Sequence, residues 1–453
     1  MQNTMMMLGS RLQKEMRRAL PIYVACVLFV LFFAKTNSYS SPLEATDVVK
    51  RVLAAYQTPL QTTKSIFPRK IWQTWKIDPL DFEVRDSERA RSWTSKNPSY
   101  RYEVLTDGND LHYVETHFGP GPGGINRPDI VNMYRSLNMT IIKADLLRYL
   151  MMYIEGGVYA DIDVEALKPV DQFIPSYIDE EDVDLVISVE IDEPTYANHT
   201  ILGPKSQSFC QWTFMCKPRV PVLLRLIDHI LGWLEDVAKK QNVPIGDIVL
   251  NFDEVITGTG PSAFTRLIVA EMTRQTGKVV TWDSFHNLTD PKLIGNILVL
   301  TVEAFAAGQG HSNSGNHNSP KALVKHHYHA SLWPSRHPRY SHPAYGMVEE
   351  CNWNPECVRA WDANKASFPS LPAEEQARLI AAHETALQEK DDKKAAEKAN
   401  AEKEVADRKQ TELLEACAGK LKELMTQEQE VSSWLGLATE QTVKAPADST
   451  QIQ

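Results

Sequence analysis

Two hydrophobic periods alternate along the middle of the chain. From Ile141 to Leu167 (IIKADLLRYLMMYIEGGVYADIDVEAL), Ile142, Leu146, Tyr149 and Tyr153 recur at helical spacing and predict a buried helical stripe. Gly156 and Gly157 follow as a helix stop. Val158 to Ala160 then read as a short strand ending in Asp161 and Asp163, whose side chains at strand spacing project to one side. Ile66 to Trp75, the run after the turn at Asn97 and Pro98, Leu185 to Val189, and Ile297 to Val302 are further predicted strands. Strand-like and helix-like segments in alternation predict an α/β domain from about Ile66 to Trp333.

The ends of the chain have a different character. Ala19 to Ala34 is uncharged, and as a helix it would measure roughly 24 Å. It is short for a plasma membrane and suits a thinner early-secretory one. Arg11, Lys14, Arg17 and Arg18 precede it and only Lys35 follows, so the positive-inside rule puts the N-terminus in the cytosol. The reading is an uncleaved single-pass signal anchor rather than a cleaved signal peptide. The predicted division is a cytosolic tail (1–18), transmembrane anchor (19–34), stem (35–65), catalytic domain (66–340), cysteine-containing extension (341–370) and charged helical or disordered tail (371–453). Gln388 to Glu412 carries 8 acids and 7 bases with no aromatic residue. That predicts a long exposed helix over Glu374 to Met425, self-associating or simply solvated and partly frayed.

Composition narrows the function classes. At 453 residues, with 43% apolar and 23% charged residues, the chain is neither wholly disordered nor a polytopic membrane protein. A net charge of −10 leaves no whole-protein basic field for nucleic acid. Triplets at Asn138, Asn198 and Asn287 fit N-glycosylation in a lumenal setting. Of six cysteines, Cys210 with Cys216 and Cys351 with Cys357 have spacings compatible with local disulfides.

Asp161 and Asp163 are the candidate chemistry. Two hard oxygen ligands at a strand end suit Mn²⁺ or Mg²⁺, with diphosphate oxygens and water in the other positions. A second such pair, Asp182 and Asp184, lies in an acidic run that reads as a solvated loop and is assigned no chemistry. Asp145 and Arg148, three residues apart, read from spacing alone as an exposed ion pair.

Ala144 to Asp163 closely resembles the signature of the DXD sugar transferases of glycosyltransferase family 32, and more distantly the bacterial toxins that glucosylate GTPases. Pro68 to Lys76 (PRKIWQTWK), Thr257 to Pro261 (TGTGP) with Phe264 and Thr265, Gly308 to His311 (GQGH) and Val324 to Trp333 (VKHHYHASLW) resemble the fungal α-1,6-mannosyltransferase branch of that family. The stretch from Cys351 to Cys357 is a weaker echo. The resemblance implies a GT-A fold with a central mixed sheet, a GDP-mannose donor, Mn²⁺ and retention of anomeric configuration. It implies that the strand Ile71, Trp72, Gln73 and Thr74 lies under the nucleotide, and that Asp145 and Arg148 bind the donor sugar. Asp161 would contact ribose, sugar or metal, and Asp163 would ligate the metal. Asp161, Asp163 and Arg148 are thus the expected catalytic residues. Among the histidines at 326, 327 and 329, His327 is the expected metal or phosphate contact, with Trp333 as a lid over the diphosphate. The implied protein is a Golgi type II membrane enzyme that adds α-1,6-mannose to the N-glycan core of glycoproteins. The alternatives are a family member of other specificity (a sphingolipid mannosyltransferase or a galactosyltransferase) and a non-catalytic Golgi scaffold.

Overall fold

A computed structural model describes residues 66–329 and 341–442. The predicted anchor at 19–34, the stem and Trp333 lie outside the described residues. Among those described, no helix is long and apolar enough to cross a membrane.

The chain opens with β1 (Lys70–Trp75), α1 (Val84–Lys96) and β2 (Arg101–Thr106), followed by α2 (Asp110–Phe118), α3 (Pro128–Ser136) and α4 (Thr140–Glu155). β3 (Gly157–Ala160), β4 (Val164–Ala166), β5 (Leu185–Asp192), β6 (Gln207–Phe209) and β7 (Thr213–Cys216) carry the middle of the domain. Then come α5 (Pro221–Gln241), α6 (Phe252–Gly258), α7 (Pro261–Thr276), β8 (Lys292–Ile294), β9 (Ile297–Leu300), α8 (Val302–Ala306) and β10 (Val324–His326). A small hairpin of β11 (Ser341–His342) and β12 (Gly346–Met347) leads to α9 (Pro355–Ser367) and α10 (Ala373–Thr442).

The sheet order is β2-β1-β3-β7-β5-β9-β8, with β6 beside β5. β1 runs parallel to β2 and β3, and β5 parallel to β9, while β7 lies antiparallel between β3 and β5. The fold is therefore α/β with a mixed central sheet. The strands predicted near Ile71, after Asn97, at Leu185 and at Ile297 are β1, β2, β5 and β9.

Helix α4 packs against α5 and leads into β3. Every residue from Asp145 to Tyr153 is buried, not only the predicted stripe. Each large apolar side chain so enclosed contributes roughly 1.5–3 kcal/mol. Gly156 ends the helix at φ 63°. A Cβ there would lie 2.7 Å from the Cys216 carbonyl oxygen, so only glycine fits the turn that sends the chain into the sheet.

Cys351 and Cys357 are joined by a disulfide. Cys210 and Cys216 are both buried free thiols, contrary to the pairing that their spacing allowed. Three of the five intervening positions, with Cys216 itself, form β7, and an extended strand advances ~3.3 Å per residue, which carries the two sulfurs apart. The tail is a single helix of 70 residues, longer than the predicted segment.

Candidate active site

The site forms where β3 leaves the sheet. β3 ends at Ala160, and Asp161 to Asp163 make a tight turn in which the Val164 amide donates to the Asp161 carbonyl at 3.0 Å. The two aspartates thus sit on a turn between β3 and β4, not at strand spacing as the sequence reading has it. Asp163 is 2% exposed. The turn is braced from β1 and β7: Gln73 Nε2 donates to the Asp161 carbonyl at 2.8 Å, and the Asp161 amide donates to the Trp212 carbonyl at 2.8 Å.

β4 pairs antiparallel with β10, and this ladder sets His326 opposite Val164. His326 Nε2 comes within 3.2 Å of Asp163 Oδ1. Ligand atoms of Asp161, Asp163 and His326 all lie within 4.8 Å of one another. His327, the histidine expected here, is not part of this cluster. Neighbours on a strand face opposite ways, and His327 Nε2 instead meets Glu165 Oε2 at 2.8 Å. His329 meets Asp86 at 2.8 Å.

Asp145 and Arg148 are 2% and 5% exposed, so the surface-pair reading from spacing is overturned. The reason is the complete enclosure of α4 from Asp145 to Tyr153. Arg148 Nη2 lies 3.3 Å from Asp145 Oδ1, and its Nη1 3.4 Å from Asp161 Oδ1, with the guanidinium 5.1 Å over the Tyr159 ring. Asp145 also accepts from Thr259 Oγ1 at 2.7 Å and from Gln211 Nε2 at 3.2 Å. Tyr159 OH donates to Asp161 Oδ1 at 2.6 Å. Burial raises the Asp161 carboxyl above the usual carboxylate range, Arg148 pulls it back, and Asp163 adds to the rise. Burial works against the charge of Arg148, but the carboxylates of Asp161 and Asp145 outweigh it and the guanidinium stays firmly protonated.

The four β1 residues divide. Ile71 and Trp72, 0% and 3% exposed, are packed into the core. Gln73 holds the turn, and Thr74 Oγ1 is 3.1 Å from Tyr159 OH. Gln73 thus meets the DXD turn directly, and Thr74 reaches it through Tyr159, whose hydroxyl binds Asp161.

Two carboxylates and an imidazole converge here, and His326 Nδ1 is buried with no hydrogen-bond partner among the described residues. Oxygen and imidazole donors of this kind fit a divalent cation such as Mn²⁺. Residues 83–179 match the family described as "Glycosyltransferase sugar-binding region containing DXD motif". The initiation-specific alpha-1,6-mannosyltransferase of Candida albicans is 30% identical over 323 residues, covering 65% of this chain and 79% of that protein. The chain belongs to the DXD sugar transferases of glycosyltransferase family 32. The Schizosaccharomyces pombe protein of the same name is 32% identical over 268 residues, 59% of this chain, and the match spans 63% of that relative's length. Among solved structures, the PaToxG glycosyltransferase is 16% identical, covers 48% of this chain and 73% of that one, and superposes with a TM-score of 0.33, too low to carry functional weight.

Within this family-32 chain, sequence reasoning missed four side chains around the cluster. Gln211 and Thr259 fix Asp145. Trp212 lays its ring 4.4 Å from that of His326 and donates Nε1 to Glu190 Oε1 at 2.8 Å. Glu190, the fourth, has its carboxyl raised, chiefly by burial. Thr259 alone carried a signal, since it sits inside the TGTGP motif.

Proposed function

We propose that this chain transfers mannose from GDP-mannose to a mannose-bearing N-glycan core on glycoproteins, with an α-1,6 linkage and retained configuration, using a divalent cation. The observation that carries the reading is the convergence of Asp161, Asp163 and His326 beside the buried Asp145–Arg148 pair. The fungal relatives, named as initiation-specific alpha-1,6-mannosyltransferases, suggest the sugar and the linkage.

Asp161, Asp163 and His326 would hold the cation, which when bound offsets the negative charge that gathers on the departing diphosphate. Arg148 locks the Asp145 and Asp161 carboxylates in fixed directions. Asp145, already oriented by Thr259 and Gln211, keeps lone-pair capacity to accept from a donor-sugar hydroxyl. In the transfer, the acceptor oxygen bonds to the anomeric carbon while the bond from that carbon to the diphosphate oxygen breaks. The electron pair leaves with the nucleoside diphosphate, and the acceptor hydroxyl proton passes to the departing phosphate oxygen on the same face. Fixed dipoles aimed at this charge shift need no reorganisation as it occurs.

A Golgi location with the catalytic part in the lumen accords with the Cys351–Cys357 disulfide and with the exposure of Asn138, Asn198 and Asn287. The test is turnover of a panel of nucleotide sugars by the full-length protein. GDP-mannose is expected to be hydrolysed or transferred in preference, and an Asp145→Asn variant to lose it. Preferential use of a UDP-sugar would refute the mannosyl assignment.

A further inference from the structure

Beside the carboxylate cluster lies a cavity of about 270 Å³, lined among others by Glu190, Ser208, Phe252, Ser262, Glu349 and Trp353. We propose that it is the acceptor subsite and takes the terminal pyranose of a neutral glycan. As an acceptor subsite it presupposes the transferase reading given above.

Position is the first support. Glu190 forms part of its wall, and the same carboxylate accepts from Trp212, whose ring lies on His326. On another side, Pro261 and Ser262 line the cavity two and three residues after Thr259, the residue that binds Asp145. The cavity therefore borders the donor site along two routes, one through the Glu190–Trp212 hydrogen bond and one along the chain from Thr259 to Ser262, where a second substrate must meet the sugar being transferred.

Chemistry is the second. A pyranose offers a CH face to aromatic rings and a rim of hydroxyls to carboxylates. Phe252 and Trp353 are half-buried aromatics on this wall, with two serines and two glutamates among them. Glu349 Oε1 accepts from Lys205 Nζ at 2.5 Å, while its Oε2 is buried with no hydrogen-bond partner among the described residues. An acceptor oxygen left in that state is destabilising unless a ligand hydroxyl satisfies it. The volume of about 270 Å³ lies just below the usual range for small-molecule sites, ~300–1,000 Å³, which suits one or two sugar rings and not a lipid tail.

The third support is how the wall is built. Asn352 and Trp353 have φ of 45° and 62°, consecutive left-handed residues that are unfavourable without glycine. The loop is closed by Cys351–Cys357, and Tyr196 OH donates to the Trp353 carbonyl at 3.1 Å with its ring 5.5 Å away. Ile201 and Leu202 pack with Val348, Val358 and Trp361 beneath it. Trp353 is thus a preset platform, ordered before any ligand arrives.

The test uses the full-length protein and α-linked mannotriose as probe, followed by saturation-transfer NMR and calorimetry. Trp353→Ala is expected to weaken mannotriose binding by about tenfold or more and Glu349→Gln to weaken it severalfold, with acceptor KM rising and donor KM moving little. Should Trp353→Ala fail to fold, a substitution at Ile256, which also lines the cavity, serves instead: Ile256→Trp adds bulk there and is expected to exclude the probe. Asp163→Ala, though unable to transfer, is expected to bind mannotriose as the parent does. Folded Trp353→Ala and Glu349→Gln proteins that bind with parental affinity would overturn the subsite. A parent that binds mannotriose through Trp353 yet turns over no nucleotide sugar would keep the cavity as a glycan site but overturn its acceptor role, together with the transferase reading on which that role rests.

Discussion

At Arg148 one guanidinium lies 3.3 Å from the Asp145 carboxylate and 3.4 Å from that of Asp161, inside a helix with no exposed face around it. Two planar arms serve two acids, which a lysine ammonium cannot reproduce. Arg148→Lys keeps the charge, so it is expected to fold with a small loss of melting temperature but to lower kcat/KM about 100-fold, the scale of losing one aligned donor. Arg148→Ala leaves the buried Asp145 carboxylate and the half-buried Asp161 carboxylate without their cation and should cost about 3 kcal/mol of stability, read by thermal denaturation. A Lys variant as active as the parent would show that the pair is only structural. Histidines at 326, 327 and 329 illustrate why residue roles are hard to read from sequence. Three imidazoles within four positions carry no mark of strand register, and only the pairing of His326 with Val164 decides which faces Asp163.

The elements themselves were largely legible. The stripe on α4, the double-glycine stop and the strands at Ile71, Leu185 and Ile297 follow from local periodicity and glycine geometry, which depend on neighbours in sequence. What periodicity could not supply is what packs on the remaining faces. Asp145 and Arg148 look like surface residues until α5 and the sheet enclose them, and Cys210 and Cys216 look pairable until β7 is seen to extend between them. The GQGH loop gives a prediction at this scale. Burial pushes the His311 imidazole down to about 4, with Nδ1 2.9 Å from Ser312 Oγ. The unfolded chain takes up this proton near pH 6.5, the folded chain only near 4, so the unfolded state binds more protons between them. Stability from this group is full above about pH 6.5 and declines as pH falls toward 4. His311→Gln should flatten the fall of melting temperature with acid over that window; an unchanged slope would exclude the residue as a source.

At the scale of the whole molecule, a catalytic body and a long helix divide the work. The first turns of α10 are partly buried, whereas the side chains described from Gln388 onward are almost all exposed, Leu413, Leu414, Leu421 and Leu424 among them. Truncation after Gln388 is therefore expected to leave the melting temperature and donor turnover unchanged, and any change in hydrodynamic size beyond the lost mass would report association through those leucines. The chemistry proposed for the body, by contrast, stands or falls with a divalent cation. The most direct measurement is Mn²⁺ affinity of the full-length protein with GDP present, in parallel with turnover, for the parent, Asp163→Ala and His326→Ala. Chelation is expected to abolish turnover. Asp163→Ala should weaken Mn²⁺ binding by about 100-fold, and His326→Ala by about tenfold. A parent that keeps full turnover in excess chelator, or an Asp163→Ala protein that binds Mn²⁺ as tightly as the parent, would contradict the account.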